Sequence, residues 1–154
     1  MENGYNKKNI CTVTGVFATK EDAENAYHIL IDLGYTADEI TLIMSDETQN
    51  KLAKSSHDNL NVDHTIADIM VSLGKFVAFP GVALMVAGDF NDGGVRALTG
   101  SVMSDIYAQY YRTRIKDGEI VIDFRPRTVR ERNMITDLWE NYGGYPLIRV
   151  SDAA

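Results

Sequence analysis

Four side chains able to bind metal or move protons lie close together near the middle of the chain: His57, Asp58, Asp63 and His64. Imidazole nitrogens and carboxylate oxygens are good ligands for divalent ions. A helical metal site, however, sets its histidines at i and i+4, whereas these two are seven apart. The segment from Glu47 to Asp63 is polar, so the four are read as residues of a loop or short helix. Asp89-Phe90-Asn91-Asp92-Gly93-Gly94 begins like a calcium loop. Such a loop needs an oxygen ligand at its fifth position and a bidentate glutamate at its twelfth. Counting from Asp89, those positions hold Gly93 and Gly100, so the segment is read as a turn. Cys11 falls inside an expected strand with no histidine nearby in sequence to activate it, and is read as a small buried hydrophobe. His28, mid-helix beside Tyr27, is assigned to solvent or to a partner. The glycine pairs Gly93-Gly94 and Gly143-Gly144 match no phosphate-loop or dinucleotide fingerprint. The expectation is a non-enzyme with no catalytic residue, no cofactor and no metal.

Two other groups of residues point to binding instead. Seven of the fifteen basic residues lie between Arg112 and Arg132. Arg125 and Arg127 flank Pro126 at an expected strand end, and a helix begins near Thr128. Backbone amides at a helix start carry partial positive charge, and arginines beside them deepen an anion site. Arg125, Arg127 and Arg130 are therefore the candidate anion-binding residues. The alternative is that Glu131 compensates this charge and the arrangement is structural. The second group is apolar. Phe76, Phe79, Leu84 and Met85 are large for a freely solvated loop and are the candidate interface residues. The stretch Ile66–Ala87 that holds them is interrupted by Asp68, Lys75 and Pro80. That leaves a run of twelve, short of the ~20 residues a membrane span needs. A buried hairpin, an oligomer interface and a shallow membrane contact all remain open for it.

The elements that must position these residues read as two similar halves. Cys11-Thr12-Val13-Thr14-Gly15-Val16-Phe17 is rich in β-branched residues and reads as a strand. Thr19 follows as a helix cap, and Ala23, Ala26, Tyr27, Leu30 and Leu33 recur at helical spacing. Gly34 stops the helix, and Ile40-Thr41-Leu42-Ile43-Met44 is a second strand. In the last third, Ile120, Ile122 and Phe124 alternate on one face of a half-buried strand. Thr128 and Glu131 have capping-box spacing. Met134, Ile135, Leu138, Trp139 and Tyr142 form a helical stripe, Gly143-Gly144 ends it, and Tyr145-Pro146-Leu147-Ile148-Arg149-Val150 closes as a strand. Pro146 cannot donate a ladder hydrogen bond, which places that last strand at a sheet edge. Just before this half, Ser104 is expected to cap a helix carrying Ile106, Tyr107, Tyr110, Tyr111 and Ile115.

Two β-α-β halves predict an α+β fold, a ferredoxin-like sandwich with both crossover helices on one face of the sheet. A hydrophobic, partly helical insertion at about 47–104 separates the halves. The expected layout is a disordered tail at 1–9, a single α/β domain at 10–150 and a short tail at 151–154. A single cysteine in 154 residues fits a reducing compartment. With no signal-peptide pattern at the N-terminus, the expected location is the cytoplasm. The net charge of −7 argues against nucleic acid as the main partner.

Val13-Thr14-Gly15-Val16-Phe17, the acidic alanine-bearing helix through Ala23-Glu24 to Leu33-Gly34-Tyr35, and Ile40 to Ser45-Asp46 together resemble the heat-induced general stress protein family of bacteria. Pro80-Gly81 and Ala87-Gly88 resemble the Gly/Ala-rich insert of that family, and Tyr110–Gly118 with Glu119-Ile120-Val121-Ile122 its helix-then-strand return. Lys75, Phe76, Phe79 and Met85 stand where that insert carries small residues. The resemblance implies a bacterial stress-associated domain and supplies no catalytic residues. The functional expectation is a domain that self-associates into a homo-oligomer or binds a protein partner. The alternative is a small-molecule or anion-binding regulatory module built on the arginine cluster.

Overall fold

Short runs of β-branched and large apolar residues make the strands, and capped amphipathic segments make the helices that cover them. The computed structural model of the protein describes residues 12–51, 77–79, 84–87, 105–144 and 146–149. Its strands are β1 (Thr12–Phe17), β2 (Ile40–Ser45), β3 (Val77–Phe79), β4 (Leu84–Ala87), β5 (Ile120–Phe124) and β6 (Leu147–Arg149). The helices are α1 (Lys20–Asp32), α2 (Asp105–Lys116) and α3 (Val129–Asn141). The strands form one sheet in the order β3-β4-β2-β5-β1-β6, and every neighbouring pair is antiparallel. The fold is α+β. Cys11 and Ser104 lie outside the described residues, as do the expected tails at 1–9 and 151–154.

The caps form where the residue types require them. Thr19 Oγ1 accepts a hydrogen bond from the Asp22 amide at 3.1 Å, satisfying one of the free donors at the start of α1. Gly34, at φ +97°, turns the chain out of α1 through a conformation that only glycine adopts at low cost. Thr128 Oγ1 accepts from the Glu131 amide at 3.0 Å and starts α3. Only this half of the expected capping box forms. The Glu131 carboxylate accepts from the Tyr35 hydroxyl instead, because the turn after α1 brings a stronger, partly buried donor within its reach.

β1 and β2 both flank β5, so they run parallel to each other and α1 crosses between them. In the same way β5 and β6 both flank β1, with α3 as their crossover. α1 and α3 lie on the same face, where Val13, Phe17, Leu42, Met44, Ile120, Ile122 and Phe124 meet Ala23, Ala26, Leu30, Ile135 and Trp139. Trp139 anchors this core. Its ring meets Phe17 and Phe124 edge-on, at 5.2 and 5.3 Å between centroids, and its indole N–H donates to the Ala26 carbonyl at 3.2 Å. Large side chains of this kind each contribute ~1.5–3 kcal/mol when buried.

The opposite face is covered too. Tyr111 and Ile115 of α2 pack with Val16, Ile43 and Val121. β5 is therefore buried along its whole length rather than half-buried as its alternation implied. Tyr110, expected in the same helical stripe, is exposed, and the Arg114 guanidinium lies 5.1 Å above its ring.

The insertion adds to the sheet. β3 and β4 form a hairpin whose β4 pairs with β2, Met85 opposite Met44 and Leu84 opposite Ser45. β2 would otherwise be an edge strand with unpaired backbone groups. β3 ends at Phe79, immediately before Pro80, which cannot donate to a ladder. The chain at 46–51, just after β2, is helical. β6, preceded by Pro146, is an outer strand, as the proline required.

Candidate functional site

The arginine segment sits where β5 hands over to α3, beside the turn that ends α1. Arg127 is the centre of a clasp between these two connections. Its Nη2 donates to the Gly34 carbonyl and to Glu39 Oε1, each at 2.8 Å. Its guanidinium stacks 4.4 Å above the Tyr35 ring. The Arg127 backbone amide donates to the Tyr35 hydroxyl at 2.9 Å, and that hydroxyl donates in turn to Glu131 Oε1. Tyr35 is fixed from below by Phe124, whose ring meets it edge-on at 5.4 Å.

Glu39 is held as firmly. Its Oε1 also accepts from the Thr36 amide at 2.8 Å and from Thr36 Oγ1 at 3.2 Å. The Thr36 amide, followed by Arg127, holds the Glu39 carboxyl below its ordinary range. Burial pushes the Tyr35 phenol up to about 12, and its hydrogen bond to Glu131 pushes in the same direction. The clasp therefore stays in one charge state through the neutral range: Glu39 ionised, Tyr35 protonated. Its chemistry is that of a fastener, since both hydrogen bonds from Arg127 Nη2 end on protein acceptors. An anion that engages this Nη2 has to compete with Glu39 and with the Gly34 carbonyl.

The other two candidates of the cluster stand apart from this arrangement. Arg125 is exposed and has interactions of its own. Arg130 is exposed on the first turn of α3 and makes no ion pair among the described residues. Tyr35 and Glu39, which engage Arg127, were not singled out from the sequence. The signal for them was faint: an aromatic directly after the glycine stop, and a glutamate three residues beyond Thr36.

The interface candidates gather at one edge of the sheet. Phe79 closes β3, the outermost strand, and its register partner is Leu84 of β4; Met85 is paired with Ala78. Phe76 lies outside the described residues, as do His57, Asp58, Asp63, His64 and the Asp89–Gly94 turn. Among the described residues, no group of three or more His, Cys, Asp or Glu is placed to hold a metal ion. None of the described helices is long and apolar enough to cross a membrane.

A polar row on the α2 face of the sheet was also missed. Asp123 stands opposite Thr14 on one side and Thr41 on the other, in the middle of three adjacent strands. Asp123 and Thr41 are fully buried and Thr14 nearly so. Thr14 Oγ1 donates to Asp123 Oδ1, as a buried carboxyl requires if it is not to be prohibitively costly. In the sequence, the alternation of β5 assigned Asp123 to the solvent side.

Compared with known proteins, the chain matches no family model, no curated protein and no solved structure.

Proposed function

We propose that the protein is a non-enzymatic, stress-associated cytoplasmic module that works by self-association, with its two halves built as a ferredoxin-like sandwich. The order β6-β1-β5-β2, with α1 and α3 as crossovers on one face, supports the architectural part. The stress association rests on the resemblance of the Val13–Phe17 strand, the α1 helix and the β2 strand to the heat-induced family.

One observation carries the self-association: the insert hairpin puts Val77-Ala78-Phe79 on the outer edge of the described sheet. A lysine or other charge, or a proline, within an edge strand blocks pairing with a second chain. Val77-Ala78-Phe79 holds none of these, with Lys75 and Pro80 lying just outside it, and a second copy of the chain can continue the sheet by antiparallel pairing along it. Light scattering across a range of protein concentrations tests this. The native chain is expected above monomer mass, and Phe79→Lys, which puts a charge on the edge, is expected to lower that mass. A native chain that is monomeric at every concentration overturns the reading.

A further inference from the structure

The outward side of α3 carries a charge pattern that is complementary to itself. Ile135, Thr136 and Trp139 are the buried residues of this helix. Arg130, Asn133, Met134 and Asp137 lie on the other side, and all four are exposed. Their spacing of three and four residues puts them on one stripe. The stripe is basic at its N-terminal end, apolar and amide in the middle, and acidic at its C-terminal end. Neither Arg130 nor Asp137 makes an ion pair among the described residues. Met134, at 40% exposure, is the large apolar side chain of α3 left most open to solvent.

We propose that α3 pairs antiparallel with α3 of a second copy, about a two-fold axis passing between Asn133 and Met134. That axis sets Arg130 against Asp137 of the other copy, and the reverse, while each Met134 faces an Asn133. A two-fold contact must be self-complementary in this way, because each residue of the patch meets the patch again in reverse order. The opposite arrangement is penalised. A parallel pairing in register sets Arg130 against Arg130 and Asp137 against Asp137.

α1 is the neighbour of α3. It packs beside α3 on the same face, in the opposite direction, since Trp139 reaches Ala26 and Arg127 reaches Gly34. Ile31, near the C-terminal end of α1, is exposed as well. A helix of thirteen residues is only ~20 Å long, and a stable interface buries ~1,200–2,000 Å². The contact is therefore weak and concentration-dependent, with the two charge pairs setting its register.

This inference rests on the self-association reading but uses a different surface, so the two are separable. An edge contact and an α3 contact on one chain carry assembly past the dimer. The experiment is light scattering at high protein concentration and low salt, with circular dichroism confirming that each variant is folded. Phe79→Lys is expected to stop at a dimer held by α3, and added salt is expected to dissociate that dimer because exposed charge pairs are screened. In the Phe79→Lys background, Arg130→Asp and Asp137→Arg each give monomers. Mixing those two variants, or combining both changes in one chain, restores the dimer. If Phe79→Lys alone is monomeric, or if mixing restores nothing, α3 pairing is overturned while the edge reading stands. If Phe79→Lys leaves the native mass unchanged and Arg130→Asp lowers it, the edge reading falls and α3 pairing stands. A native chain that is monomeric throughout overturns both.

Discussion

The β-carbon that Gly15 lacks would stand 2.6 Å from Cε3 and 2.8 Å from Cζ3 of Trp139. The glycine in β1 and the tryptophan in α3 thus form a matched pair: the strand gives up a side chain so that the indole can approach its backbone closely. Gly15→Ala is expected to destabilise the protein by ~1–3 kcal/mol, the usual cost of overfilling a packed core. In the Trp139→Leu background the same change should cost less, because the ring it strikes is gone. Denaturant unfolding of the four chains of this double-mutant cycle gives the coupling directly. Equal costs in both backgrounds would mean that the contact does not govern this site.

The Tyr35 hydroxyl ties together the Arg127 amide and the Glu131 carboxylate. Tyr35→Phe removes both partners at once and should cost ~1–2 kcal/mol. The Arg127–Glu39 pair is more than two-fifths exposed on both sides, so Arg127→Gln should cost no more than about 1 kcal/mol. The two losses differ in their response to salt. High ionic strength should shrink the Arg127→Gln effect and leave that of Tyr35→Phe nearly unchanged, as measured by urea titration with and without added sodium chloride.

Alkaline pH should destabilise the fold in a defined window. The Tyr27 phenol is pushed up to about 12 by burial and then by Asp38, and that of Tyr35 to about 12 by burial and then by Glu131. Both start from 10.0 in the unfolded chain. Above that pH the unfolded chain sheds two protons that the folded chain keeps, so stability falls as pH rises. The contribution is whole below the unfolded value and is lost by about pH 12. Unfolding free energies measured across this window, alongside tyrosinate absorbance, should show the slope, and Tyr35→Phe should reduce it.

Asp123 is buried at the centre of the sheet with Thr14 donating to it. Asp123→Ala strips the acceptor from a buried hydroxyl and should cost ~1.5–3 kcal/mol. Asp123→Asn keeps an acceptor oxygen of the same size and should cost less than the alanine change. Chemical denaturation of the two variants ranks them. A smaller cost for alanine than for asparagine would show that the site prefers no polar group.

Much of the local structure was written in the chain. Thr19 and Thr128 cap helices, Gly34 ends one, and Pro146 precedes an outer strand, because each acts through its own backbone or that of residues within a few positions. The same locality made Ile120, Ile122 and Phe124 readable as one face of a strand, and put the helices after Thr19 and Thr128 where they are. Tertiary structure decided the rest. The sequence shows which side of β5 Asp123 occupies, but whether that side meets solvent depends on elements far away in the chain. Arg127 reads as a free cation until the turn after α1, more than eighty residues earlier, brings Glu39 and Tyr35 against it. β3 and β4 have strand-forming residues, but pairing with β2 belongs to the sheet and not to the hairpin. Short-range rules determine where elements start, stop and turn. What each side chain finally touches is set by long-range packing, and a single sequence carries little direct trace of it.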